Sequence, residues 1–227
     1  MTNNPEKALS RKAQGEETRA VLIDVGARLF AQNGFHGVSM RTLAAEAGVN
    51  LATVGYHFGG KQGLYEAIMD AIIEVRDDFF PTAEQVRERF ADLKTPEEKG
   101  EGVSWYVDAL TRGILGMKKH IWPSFLLSRE LAQPTQSYPK LEKEFFDPSF
   151  ESLMALVKSV LPEDTDEEEY VITAHTIIGT LTKFLEGHDI ICKRMEWESY
   201  EGHGLEKIIT VVCKRIRGSL GLPMENA

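Results

Sequence analysis

Only two cysteines, Cys192 and Cys213, occur in 227 residues, with no C-x-x-C pair, so neither a disulfide framework nor a thiolate metal ribbon is available. No apolar run approaches the roughly 18 residues that a membrane span needs. The opening stretch MTNNPEKALSRKAQGEETR has no apolar core of the kind a secretory signal carries. These absences predict a soluble, cytoplasmic chain with reduced thiols and no membrane partner. Strand-like alternation, internal repeats and low-complexity tracts are also missing. So are a Ser-His-Asp signature, a phosphate loop and a nucleotide fingerprint. No catalytic residue and no cofactor are therefore expected. His188, Cys192 and His203 invite a metal reading, but their spacing matches no common zinc pattern, and no metal site is expected.

What is present is 42% hydrophobic residues, enough for a sizeable core. The net charge of -9 is unevenly spread. Residues 1–63 hold seven Lys/Arg against five Asp/Glu, a net +2, and the remainder is net -11. A mildly basic front and an acidic rear suit a chain whose front alone meets phosphate, although acidic surfaces also simply keep domains soluble.

The most informative stretch is Ser39–Lys61, SMRTLAAEAGVNLATVGYHFGGK. Ser39 is placed to cap a short helix with Leu43 and Ala44 facing inward. Gly48 can take the positive φ that ends it, and Asn50 can cap the next. Two helices joined by a short glycine-bearing turn form a helix-turn-helix, whose second helix enters the DNA major groove. A preceding helix carries Val21, Leu22, Val25, Leu29 and Phe30 on one face and stops at Asn33-Gly34. Behind the motif, a helix from Lys61 carries Leu64, Ile68, Ala71, Ile72 and Val75. Thr95-Pro96-Glu97-Glu98 starts a long helix, and Pro123, Pro134, Pro139, Pro148 and Pro162 divide the middle. Helices opening at 164–169 and 205 close the chain. The reading is all-α, with about nine helices: a flexible arm over 1–15, a three-helix DNA-binding head over 16–62, and a helical body over 63–227.

This script resembles the TetR family of transcriptional regulators. Leu29-Phe30-Ala31-Gln32-Asn33-Gly34-Phe35 looks like the end of the family's first helix. Ser39 to Val49 is similar to its second. Thr53-Val54-Gly55-Tyr56-His57-Phe58-Gly59-Gly60-Lys61-Gln62-Gly63-Leu64 looks like the recognition helix running into helix 4. Ser128-Arg129-Glu130 and the helix with His175 and Ile178-Gly179 resemble the CecR subgroup. Gly55 departs from the pattern, since many relatives carry a larger side chain before the Tyr. Glycine there costs about 1 kcal/mol of helix propensity. The resemblance implies a homodimer formed through 168–187 and 205–220, a double-stranded operator as partner, and an unknown small-molecule effector that releases it. A body that recruits a protein partner instead is the alternative.

Candidate DNA contacts follow from position. Arg41 and Thr42 open the first helix of the motif and suit backbone contact, or Arg41 pairs an acid. Asn50, Leu51, Ala52 and Thr53 begin the reading helix, where Ala52 and Thr53 suit thymine methyls and base edges and Leu51 suits packing equally. Gly55 removes a side chain that would touch DNA or pack beneath the helix. Tyr56 is a half-buried aromatic or, as the resemblance implies, a phosphate contact. His57 is a phosphate contact or a solvated histidine; Val54 and Phe58 are core. Lys61 at a helix N-terminus is unfavourable for the dipole, so it either meets phosphate or is a solvated lysine.

In the body, Trp105, Met117, Trp122, Phe125 and Phe184 line a ligand cavity or form ordinary core. Arg129, amid Phe125, Leu126, Leu127 and Leu131, needs an acceptor: an internal acid, or an anionic ligand group. His175 is core, dimer interface or ligand contact.

Overall fold

The computed structural model describes residues 5–116 and 121–224. Among them the chain is helical and holds no strand. The helices are α1 (Pro5–Gly37), α2 (Met40–Glu46), α3 (Leu51–Phe58), α4 (Lys61–Glu74), α5 (Arg76–Phe79), α6 (Ala83–Phe90), α7 (Pro96–Leu115), α8 (Ile121–Ala132), α9 (Tyr138–Leu141), α10 (Asp147–Val160), α11 (Glu167–Glu186), α12 (His188–Met195) and α13 (His203–Ser219). Thirteen α-helices are described where about nine were expected; α5 and α9 are a single turn each, and α12 follows α11 directly after Gly187. A π turn over Glu142–Phe146 leads into α10. It lies where Pro148 removes an N–H from the ladder and its ring needs room. Residues 5–15, expected as a flexible arm, extend α1 back to Pro5. Proline suits the first helical position, and the Glu, Lys, Ala, Leu and Arg that follow are good helix formers.

The chain forms two compact units, Met1–Ile73 with Phe125–Tyr138 and Glu74–Ser124 with Pro139–Ala227. In the first, α1 breaks at Gly34 (φ 72°, ψ 166°), the expected stop. Leu22, Leu29 and Phe30 are buried, whereas Val21 is exposed. Leu43 of α2, Val54 of α3, and Leu64 and Ile68 of α4 complete the core. Phe30, Phe35 and Tyr65 form an aromatic cluster with centroids 5.0–5.9 Å apart.

The stretch 125–138 belongs to this unit through polar contacts. Glu130 is fully buried. Its carboxylate accepts the Tyr65 hydroxyl at 2.5 Å, the Thr135 hydroxyl at 2.8 Å and the Thr135 N–H at 3.1 Å. Burial, then the Glu130 carboxylate, pushes the Tyr65 phenol well above its ordinary pKa, so it stays a donor.

In the second unit α7 is the spine. Thr95 and Glu98 form a capping box at its start, with Pro96 in the first turn. Val103, Tyr106, Val107 and Leu110 are buried along it. Ile208, Val212 and Ile216 of α13 are buried in the expected register. On α11 the inward residues are Ala174, Ile177, Leu181 and Leu185; Ile177 replaces the expected Ile178 because the stripe steps by three and then four.

Tyr65→Phe removes one donor from a buried carboxylate without opening a cavity. It is expected to lower unfolding free energy by about 1–3 kcal/mol, read from urea midpoints at constant m-value; a shift below about 0.5 kcal/mol would make the bond energetically idle.

Candidate nucleic-acid interface

The turn between α2 and α3 is fixed by its own backbone. Gly48 has φ 66°, its N–H donates to Ala45 O at 3.2 Å, and the Val49 N–H donates to Ala44 O at 3.0 Å. These two bonds make a Schellman motif, which needs a left-handed residue at that position. Ser39 accepts the Thr42 N–H at 3.1 Å, capping α2 as expected. Asn50 caps α3, its Oδ1 accepting the Thr53 N–H at 2.9 Å and the Thr53 hydroxyl at 3.0 Å. The Thr53 proton is thus engaged in the cap, and the residue is half-buried.

Asn50, Leu51, Ala52, Gly55 and Tyr56 are exposed, one stripe of α3 at helical spacing. Tyr56 is 87% exposed, which removes the core reading for its ring. At Gly55 an added Cβ would meet nothing within 4 Å, so no packing within the chain demands glycine there. Arg41 and Thr42 are exposed in the first turn of α2. His57 is half-buried, its ring between those of Tyr56 and Phe58. Phe58, expected in the core, is only half-buried; the Arg19 guanidinium stands over its ring at 5.4 Å.

Lys61 answers to neither expected reading alone. Its ammonium donates to Phe35 O and Val38 O, both at 3.0 Å, and lies 4.4 Å from the Phe35 ring centroid. Two of its three N–H groups therefore tie down the α1–α2 connection, leaving one for an anion. Gly63 was missed by sequence reasoning: an added Cβ would lie 1.9 Å from Phe58 O, so α3 and α4 can meet only across glycine.

The body candidates do not gather into one site. Arg129 belongs to the first unit and donates to Ala31 O at 2.6 Å and Gln32 O at 2.9 Å, so its acceptors are backbone carbonyls. Phe125 is in the first unit; Trp105, Trp122, His175 and Phe184 are in the second. Trp105 stacks beneath Arg89 at 4.6 Å, His175 is exposed beside Phe150, and the Phe184 carbonyl accepts the Tyr200 hydroxyl. Trp122 is half-buried, and Met117 lies outside the described residues. An open groove of about 550 Å³, lined by Arg87, Phe150, Met154, Lys158 and Val171 among others, includes none of the six described candidates. His188, Cys192 and His203 do not converge. His188 contacts Cys192 Sγ at 3.7 Å and Asp189 at 2.9 Å, while His203 packs near Trp197. Burial, then Asp189, pushes the Cys192 thiol up, which favours the unreactive form. Among the described residues no three His, Cys, Asp or Glu side chains form a metal cluster. None of the described helices is long and apolar enough to cross a membrane.

Residues 22–68 match the family described as bacterial regulatory proteins, tetR family, and residues 106–221 match the C-terminal domain of the HTH-type transcriptional dual regulator CecR. The chain belongs to the TetR family, with a CecR-type C-terminal domain. The CecR regulator of Shigella flexneri is 26% identical over 216 residues, 93% of each chain. Among solved structures, the TetR-family regulator PfmR from Thermus thermophilus has the same fold at 15% identity and a TM-score of 0.58, covering 87% of this chain and 97% of PfmR. AibR, in complex with isovaleryl coenzyme A and operator DNA, aligns at 15% identity with a TM-score of 0.60, over 88% of this chain and 97% of AibR. The protein is thus a DNA-binding transcriptional regulator rather than an enzyme.

Gly55→Ala is expected to stabilise the head by about 0.5–1 kcal/mol and to weaken operator binding, because the new methyl lies on the exposed face of α3. Thermal melts and gel shifts read the two effects separately; unchanged operator affinity would place Gly55 off the DNA. Lys61→Met keeps the stem and removes the donors. It is expected to cost about 1.5–3 kcal/mol of stability, with a further loss of DNA affinity at all sequences; a fully stable variant would return Lys61 to a purely external role.

Proposed function

We propose that this chain is a homodimeric repressor, working in the cytoplasm on a pseudo-palindromic operator that it leaves when a small molecule binds its body. The observation that carries the DNA reading is the exposed stripe Asn50, Leu51, Ala52, Gly55 and Tyr56 on a helix capped and locked at both ends. Tyr56, Thr42 and Arg41 hold phosphates, Lys61 offers its remaining N–H to another, and His57 lies at the edge. Ala52 and Leu51 meet base edges and thymine methyls, with Thr53 contributing its methyl. Two such helices about 34–36 Å apart read successive major grooves. AibR supports the effector half of the reading, because its structure holds both an acyl coenzyme A and operator DNA.

The dimer reading draws on the outer faces of α11 and α13. Ile172 is 64% exposed. Next to it, Thr176 donates to Ile172 O and Thr180 to Thr176 O, so the hydroxyls are spent on their own helix and the face shows methyl groups. At Gly179 an added Cβ meets nothing. On α13 Thr210 likewise donates to Glu206 O, beside the exposed Val211. A face of small residues with internally satisfied polar groups suits close helix–helix packing.

A Cβ at Gly179 has open space, and Gly179→Arg is expected to halve the sedimenting mass and to weaken operator binding more than tenfold. A variant that stays dimeric with full affinity would move the interface elsewhere. Operator binding is expected to fall with salt, each phosphate contact adding about 0.9 to the log–log slope; a slope near zero would sink the phosphate assignments together.

A further inference from the structure

Five Lys and Arg residues lie in the stretches 13–73 and 125–138, and three of them are committed within the chain. Arg28 pairs with Glu46 at 2.7 Å, Lys61 donates to Phe35 O and Val38 O, and Arg129 donates to Ala31 O and Gln32 O. Arg41 and Arg19 remain, both exposed. Arg41 already belongs to the proposed phosphate contacts. Arg19, on α1, has no carboxylate partner among the described residues; what holds it is a ring, its guanidinium carbon lying 5.4 Å from the Phe58 centroid. A guanidinium over a ring spends its face on the π cloud and keeps the N–H donors in its own plane for another acceptor.

The ring is a fixed platform. Phe58 is the last residue of α3, and Gly59 closes that helix with φ 71° and an N–H donated to Gly55 O at 2.8 Å. The Phe58 carbonyl fits against α4 only because residue 63 is glycine. Along α3, Leu51, Gly55 and Phe58 stand at i, i+4 and i+7, one line down the helix. Leu51 and Gly55 are exposed and Phe58 is half-buried. A Cβ at Gly55 would meet nothing within 4 Å, so the line runs bare from Leu51 to the ring beneath Arg19.

We propose that Arg19 is a DNA phosphate contact, delivered from α1 to the C-terminal end of the reading helix by the Phe58 ring. This rests on α3 lying in the major groove, as proposed above. Eight helical residues span about 12 Å, and the groove is about 12 Å wide. A helix that reads base edges from its first turn therefore carries its last residue to the groove wall, where the phosphates stand. There the in-plane donors of Arg19 meet an anion whose oxygens fit their spacing, and the contact positions the head without reading sequence. Gly55 keeps the approach open, since a longer side chain on that line would stand between the duplex and the guanidinium.

The test uses the full-length protein and a duplex that it enriches from a random-sequence pool. Gel shifts over a salt series give affinity and slope, thermal melts give stability, and a second enrichment with the variant gives base preference. Arg19→Gln is expected to bind at least fivefold more weakly, with a log–log salt slope smaller by about 0.9 per head, while its melting temperature and enriched sequence stay unchanged. Arg19→Lys is expected to recover the slope and only part of the affinity. Backbone phosphates are then replaced one at a time by neutral methylphosphonates. At one position per half-site the unmodified protein is expected to lose what Arg19→Gln loses, and the variant to lose nothing further. Unchanged affinity and slope, an altered enriched sequence, or a loss that follows a lowered melting temperature with the slope intact would each overturn the contact. If Arg19→Gln does not fold, Arg19→Lys replaces it in the methylphosphonate series, and effects that add at every phosphate would overturn it. A salt-dependent wild type with an indifferent Arg19 variant removes this contact alone; a wild type that enriches no duplex, or binds without a salt slope, takes the major-groove reading of α3 down with it.

Discussion

A helix that ends inside a protein leaves carbonyl oxygens without partners, and the DNA-binding head is organised around one such end. Gly34 breaks α1 with a positive φ, and the carbonyls around the break have lost their helical donors. Two cations from later in the chain replace them: Arg129 at Ala31 and Gln32, and Lys61 at Phe35 and Val38. Positive charge at a helix C-terminus is also favourable for the dipole. The same bonds fix where α4 begins and hold 125–138 against the head. The position of α3 follows, since Phe58 O meets α4 over Gly63.

The reading helix is built to be short and definite. A Schellman turn ends α2, an Asn cap starts α3, and a left-handed Gly59 ends it. Between these fixed points only one stripe is open to solvent. The cap uses the Thr53 hydroxyl, so in the proposed reading polar contacts fall to the residues beside it. Both ends are fixed while the middle, at Gly55, makes no packing contact that a Cβ would disturb.

The second unit distributes its polar groups differently. The hydroxyls of Thr176 and Thr180 on α11 and of Thr210 on α13 turn back onto their own helices, which leaves their methyl groups outward. Inside, the Tyr106 hydroxyl donates to Ser152, which in turn donates to the Pro81 carbonyl.

From sequence alone, local chemistry was decisive. The caps at Ser39, Asn50 and Thr95, the stops at Gly34 and Gly48, and the apolar stripes of α7 and α13 all follow from rules spanning a few residues. The family, and with it DNA binding, was legible for the same reason, because the helix-turn-helix is a contiguous script. What depends on groups distant in the chain was not. Lys61 stands at a helix N-terminus, where its charge looks misplaced until the carbonyls of residues 35 and 38 come beside it. Arg129 looked like a body residue in need of an acid until α1 supplied carbonyls 97 and 98 positions away. The aromatic residues of the body shared helical spacing but not a location. Periodicity fixes which side of a helix is buried, whereas only tertiary structure decides what lies opposite it, because pairing across space carries no local signature.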